Sequence, residues 1–327
     1  MTQDLADITE EERDALSEWQ IGRIVSAAVP ATGTVNRTLI VQAERGAFAL
    51  RVSSRERERV EWEHECIAAA AQGVPVCRPI PTPSGTILER NGRFFALFPQ
   101  ASGRQLTRAE LRAEHVRAAG KCLAHIHAAL ERLPAGRARV KDLTGDIAGA
   151  VALVPHLDAA ILAQPAQTAT EQAAREQIAG RRAYLEQNGS EAESIPDRLA
   201  ALPHRVLHGD FQETNLFFEN AQISAVIDWD QSGRAARGWE IVRAQHLMFQ
   251  LAPKLCRAFL DGYESITPLD DGEMEESAAC YGLLSDSNLW VYAAVYLEGN
   301  MRAKPFISLA QFVPFEVQWK AAGIGRH

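Results

Sequence analysis

The most constraining stretch of the chain is residues 205–228, "RVLHGDFQETNLFFENAQISAVID". On either side of it, from 107 to 302, Ala and Leu recur at helical spacing over 107–132, 142–163, 166–188, 238–264, 272–285 and 286–302. Only between 205 and 228 does the helical pattern give way. "NLFF" and "ISAVID" flank Glu219-Asn220-Ala221-Gln222 in the manner of a β-hairpin. Asp210 and Asn215 stand just before its first strand, and Asp228 stands at the end of its second. Acids and amides at the edge of buried apolar segments are costly unless they bind something. The fold must therefore present both ends of one hairpin to a ligand.

The first hundred residues have another character. Residues 8–18 read as a short helix with Thr9 as N-cap and acids in the first turn. The segments 21–30, 36–43, 47–52, 86–90 and 93–99 are short, β-branched or aromatic, and broken by Gly, Pro or charge. One helix, Glu56 to Gln72, interrupts them after the third and ends at Gly73. The predicted class is α+β and bilobal. Residues 1–99 form a small lobe on a five-stranded antiparallel sheet, Pro99–Arg104 connect, and 100–327 form a larger, mostly helical lobe holding the hairpin and the substrate pocket. A crevice between such lobes is a natural ligand site.

The bulk numbers narrow the function. A chain of 327 residues, 46% hydrophobic and 23% charged, is an ordinary globular one. A formal charge of −8 argues against a general nucleic-acid binder. The five cysteines form no C-x-x-C pair, so a reducing compartment is expected rather than a disulfide framework or a zinc site. The N-terminus is acidic and polar, unlike a signal peptide, and no apolar run has the length of a membrane span. The expectation is a cytoplasmic protein without membrane or nucleic-acid partners; the sequence leaves its oligomeric state open.

Asp210 and Asn215 point to phosphoryl transfer. That reaction needs a carboxylate to orient the attacking hydroxyl and accept its proton, and oxygen ligands for the Mg²⁺ that neutralises the phosphates. The D-x-x-x-x-N interval supplies one of each, and Asp228 stands where a second metal ligand belongs. Asp210 is the candidate catalytic residue; Asn215 and Asp228 are the candidate metal ligands. Gly33, in "PATGTVNRT", offers backbone amides to phosphates, although an ordinary hairpin turn accounts for the same residues. The strand cation opposite the phosphates must be an arginine, because no lysine precedes Lys121, and "FALRV" places Arg51 there. Its helical partner is Glu63, with Glu61 and Glu65 as alternatives. Adenine would hang on the connector near Phe98 to Gln100. Glu213 and Asp230 are either substrate contacts or solvated loop positions.

"HGDFQETN", "VIDWD" and "GWEIVRA" together resemble the aminoglycoside phosphotransferase/choline kinase family, which has a protein-kinase-like fold. "FLDGYESITPLDDGEME" is similar to its homoserine kinase branch, and "EHECIAAAAQGVPVCRP" with "FFALFPQASGRQL" to its bacterial stress-response kinases. The resemblance spans roughly 20–300. It implies ATP and Mg²⁺ as cofactors, Asp210 as catalytic aspartate, Asn215 and Asp228 as magnesium ligands, His208 as a brace for the loop, and Asn36 as a phosphate-loop residue. Glu240 stands where the family often has Asp, and Trp229 where D-F-G has Phe.

The implied activity is transfer of the γ-phosphate to a hydroxyl of a small molecule: an aminoglycoside-like antibiotic, an amino alcohol or a hydroxy amino acid. A homoserine-kinase-like metabolic enzyme and a short-segment Ser/Thr protein kinase are the alternatives, with a non-catalytic nucleotide-binding module behind them. Only eleven residues separate Asp228 from Glu240, too few for the activation segment on which a protein kinase seats a peptide. Acids and rings between 256 and 302 (Asp261, Glu264, Asp286 and Glu298, with Tyr263, Tyr281, Trp290, Tyr292 and Tyr296) would suit an amine-bearing acceptor, or else pack the helical core.

Overall fold

The computed structural model describes residues 8–30, 37–134, 136–141, 143 and 145–324. Gly33 and Asn36, the candidate phosphate-loop residues, lie outside them. The chain forms two compact units. The first comprises 1–139, 205–234 and 258–268, and the second 140–204, 235–257 and 269–327.

In the first unit, α1 (Glu10–Ser17) precedes a five-stranded antiparallel sheet of β1 (Ile24–Ala28), β2 (Arg37–Ala43), β3 (Gly46–Ser53), β4 (Leu88–Arg90) and β5 (Arg93–Pro99), with α2 (Arg57–Ala70) between β3 and β4. Thr9 caps α1 reciprocally, accepting from Glu12 N at 3.2 Å while its own N–H donates to the Glu12 carboxylate at 2.9 Å. Sheet order is β1-β2-β3-β5-β4. Alternation along the strands sends Leu39, Val41, Leu50, Val52, Phe95 and Leu97 into a core that Leu16 and Trp19 complete. The same alternation turns Arg51, between Leu50 and Val52, to the opposite face.

The first unit also contains α3 (Ala113–Leu130). In chain order α4 (Ile147–Leu162), α5 (Ala169–Asn188) and α6 (Ile195–Ala200) follow, then β6 (His204–Leu207), β7 (Leu216–Glu219), β8 (Gln222–Val226) and β9 (Gly233–Ala236). Strands β7 and β8 form the expected hairpin, with Leu216 opposite Val226 and Asn220 at φ 54° in the turn. The connector after β5 is laced to this hairpin. Arg104 and Phe218 exchange both backbone hydrogen bonds, at 3.0 and 2.9 Å, and Ser224 Oγ donates to Ser102 O at 2.7 Å. Gly103 sits between these contacts at φ +79°, where a Cβ would fall 2.4 Å from Phe218 O, so only glycine fits.

The remaining helices are α7 (Arg237–Phe249), α8 (Pro253–Glu264), α9 (Asp271–Ser287), α10 (Trp290–Tyr296) and α11 (Phe315–Ala322). The second unit's core gathers Leu157 and Ile161 of α4, Ile178 and Leu185 of α5, Leu283 of α9 and Tyr292 of α10. The helix expected over 238–264 is two helices. Gln250 and Leu251 take left-handed backbone (φ 49° and 57°), and Pro253 then opens α8. No glycine marks that break. The stretch 286–302 holds the end of α9, the short α10 and the start of a 3₁₀ segment, Met301–Phe306.

Candidate active site

Strand β6 delivers the chain to His208, fully buried, and Gly209, whose φ of +87° turns it sharply. His208 Nε2 lies 3.0 Å from Ile227 O, a carbonyl that only accepts, so Nε2 carries the proton. Nδ1 then accepts from Asp210 N at 3.2 Å. These two bonds require the neutral imidazole and tie the Asp210 loop to the strand that ends in Asp228. The ring also lies against Trp229, centroids 4.5 Å apart. His208 thus braces the loop.

Phe211 is fully buried and anchors the loop from below, and a 3₁₀ turn over Glu213–Asn215 returns the chain to β7. Asn215 Nδ2 donates to Asp210 Oδ2 at 2.9 Å and to Asp210 O at 2.8 Å, and Gln212 Nε2 donates to the same Oδ2 at 3.0 Å. Asp210 is thereby held by two amides, with its orientation fixed.

At the far end of the hairpin, Asp228 is in left-handed backbone at φ +65°, an uncommon and costly state for a non-glycine residue. Its Oδ1 accepts from Arg51 Nη2 at 3.0 Å, while Arg51 Nη1 donates to Glu63 Oε1 at 2.5 Å. The structure thus selects Glu63 among the three helix candidates: Glu61 pairs with Arg57 at 3.6 Å and Glu65 with Arg137 at 2.6 Å. Burial pushes the Glu63 carboxyl up to about 7, with the Arg51 guanidinium pulling against it. Asp228 is likewise raised by burial against the pull of Arg51. Burial opposes the Arg51 charge, and Glu63, Asp228 and Asp230 outweigh it, so its pKa rises.

Asp230, left open by the sequence, is buried. Its carboxylate lies 3.7 Å from Arg51 Nη2 and 3.6 Å from Arg55 Nη2, and its carbonyl accepts from Arg59 Nη2 at 3.1 Å. The D-x-D spacing at 228–230 is the sequence signal for it. Glu213 is also buried rather than solvated, accepting from Arg108 Nε at 2.8 Å. Phe98 pairs with Ala49 in the sheet and meets His64 edge-on at 5.9 Å, and Gln100 N donates to Ala47 O at 2.9 Å. Tyr263 is buried against His127 in the first unit, and Tyr281, Tyr292 and Tyr296 are buried in the second, so these rings pack cores; Trp290 is half exposed.

Among the described residues no group of three or more His, Cys, Asp and Glu side chains is arranged to hold a metal ion by itself. The pair Asn215 and Asp228 offers hard oxygen donors, the type Mg²⁺ takes alongside phosphate oxygens. Asp228 is also the most exposed acid on Arg51, at 42%. The donor chemistry fits such an ion. Among the described residues no helix is long and apolar enough to cross a membrane.

A five-stranded antiparallel sheet with one inserted helix, an Arg–Glu pair between β3 and that helix, and an Asp–Asn loop leading a hairpin into a second Asp make an α+β fold of the protein-kinase-like class. The model of the phosphotransferase enzyme family matches residues 27–277, and the chain belongs to that family. It is 28% identical over 283 residues to a homoserine kinase of Caulobacter vibrioides, covering 82% of each chain. Solved structures that share its fold include two kinases with bound nucleotides. A spectinomycin phosphotransferase in complex with ADP and spectinomycin has a TM-score of 0.65 at 14% identity, covering 97% of this chain and 99% of that one. An amicoumacin kinase in complex with AMP-PNP, Ca²⁺ and Ami has a TM-score of 0.64 at 13% identity, covering 94% and 97%.

Proposed function

We propose that the chain moves the γ-phosphoryl group of ATP to the hydroxyl of a small amine-bearing alcohol, with a hydroxy amino acid of the homoserine type as the favoured acceptor. The observation that carries the reading is the Asp210–Asn215 pair at 2.9 Å at one end of the hairpin and the Asp228–Arg51–Glu63 chain at the other. Asp210 orients the acceptor hydroxyl and takes its proton as the phosphoryl group leaves. Asn215 and Asp228 would hold Mg²⁺, which neutralises charge on the phosphates. Arg51, kept charged by its acids, forks onto the phosphate oxygens. Residues 1–99 would cover the nucleotide, with Phe98 and Gln100 near adenine, while 100–327 would carry the catalytic hairpin.

A small acceptor is supported by the stretch from Asp228 to Glu240. It folds into β9 and the first turn of α7 and leaves no segment on which to seat a peptide. The acceptor class is supported by the homoserine kinases at 28% identity or below; the antibiotic kinases support the fold. Five free thiols suit a reducing, cytoplasmic setting.

The test is ATP consumption with Mg²⁺ across homoserine, serine, choline and a set of aminoglycosides. Homoserine is expected to give the highest kcat/KM. An aminoglycoside turned over at least tenfold more efficiently would replace the acceptor assignment, and turnover with none of them would count against a small acceptor.

A further inference from the structure

Asp228 has two claims on it. It accepts from the buried Arg51 at 3.0 Å, and in the proposed reaction, on which this inference rests, it holds the metal. A guanidinium whose side chain is only 14% exposed cannot give up a counter-ion cheaply. We propose that Asp230 is a positioning residue for Arg51: together with Glu63 it keeps the guanidinium aimed at the phosphates when Asp228 turns to the metal.

Exposure divides the three acids around Arg51. The Asp228 side chain is 42% exposed, whereas those of Glu63 and Asp230 are each 7% exposed. The exposed acid is the one an incoming ion can reach, and the two buried ones stay with the buried cation. Asp230 already lies 3.7 Å from Nη2, the same nitrogen that serves Asp228, so a small shift of the fork exchanges one acid for the other. Glu63 and Asp230 are also fixed relative to each other. Trp62, next to Glu63 on α2, donates through Nε1 to Ser232 O at 3.1 Å, and Arg59 of the same helix donates to Asp230 O. Helix α2 therefore carries one acid and grips the backbone around the other.

The arrangement suits arginine and not lysine. A lysine ammonium is a compact charge that one acid can hold, whereas the planar fork spreads its charge over two nitrogens facing different acids. The Arg at position 51 and the acid at position 230 form one device.

Calorimetric titration of Mg·ATP into the wild type, Asp230→Asn, Arg51→Lys and the double variant tests this. Asp230→Asn is expected to weaken binding about tenfold in the wild type and less than about twofold in the Arg51→Lys background, since a residue acting through a partner loses its effect when the partner changes. Adenosine, which lacks phosphates, is expected to bind all four proteins alike. An equal loss in both backgrounds would mean that Asp230 meets the metal or the fold directly, and no loss would mean that it is idle; either overturns the proposal. A loss of adenosine binding in step with Mg·ATP would also overturn it, because that marks a general structural defect. A wild type that binds no Mg·ATP would instead bring down the phosphotransfer reading itself. Should Asp230→Asn not fold, ¹⁵N-arginine NMR of the wild type, assigned against Arg51→Lys, decides between the two: the Arg51 guanidinium stays rotationally hindered on adding Mg·ATP if the proposal holds and rotates freely if it does not.

Discussion

Asp210→Asn lowers turnover by about 10²- to 10⁴-fold, the range a positioned general base contributes, while Mg·ATP still binds. Asparagine keeps the shape of the side chain, and its amide oxygen can accept from Gln212 Nε2 and Asn215 Nδ2 where Asp210 Oδ2 now does, at 3.0 and 2.9 Å. The loop therefore keeps its conformation and loses only the group that receives the proton. Steady-state kinetics with a separate nucleotide titration checks this. The loss should sit in kcat, because the interaction is made in the transition state and not in nucleotide binding. Turnover within about threefold of wild type would remove Asp210 from the chemistry, since general-base variants lose far more.

The second large effect is on stability. Arg51→Met leaves Glu63, Asp228 and Asp230 without the charge they share. Breaking a buried ion pair by removing one partner costs about 3–5 kcal/mol, because the remaining charges stay buried and uncompensated. Glu63 and Asp230 are 7% exposed, so water does little to screen them. The amides of β3 and α2 should lose hydrogen-exchange protection, while those of α4 and α5, in the other compact unit, should change little. Protection unchanged around β3 would show that the acids can discharge by taking up protons. The raised Glu63 carboxyl makes that route testable: without the pull of Arg51 it lies above the wild-type value of about 7, so the deficit should shrink as pH falls from the alkaline side toward 7, where Glu63 of the variant is already neutral. The direction follows from the sign of the shift, since a carboxyl raised by burial opposes folding only while it is ionised.

Much of this site is legible in the sequence because its parts are local. His208 to Asn215 is one loop, and the strand into Asp228 is one apolar run. Arg51 follows by elimination, since no lysine precedes Lys121. The pattern around Glu61, Glu63 and Glu65 leaves the partner open at first sight, yet helical spacing contains the answer. Residues 63, 66, 67 and 70 share a face and all are buried, whereas 61 and 65 fall together on another. The D-x-D spacing marks Asp230, but not that it is buried, because its burial depends on Arg51, Arg55 and Arg59 from a segment some 170 residues away. The break between α7 and α8 is hidden for a local reason: Gln250 and Leu251 adopt backbone that is otherwise the habit of glycine and asparagine.

The central claim is that Asp228 and Asn215 hold a divalent ion beneath a nucleotide while Asp210 aims the acceptor. Thermal unfolding with saturating ATP, with and without Mg²⁺, in the wild type and in Asp228→Asn, tests it most directly. A ligand at a hundred times its Kd stabilises the native state by about 2.7 kcal/mol. The account predicts such a shift for the wild type with Mg²⁺, and its loss both in EDTA and in Asp228→Asn. An equal shift in all of these conditions would contradict it.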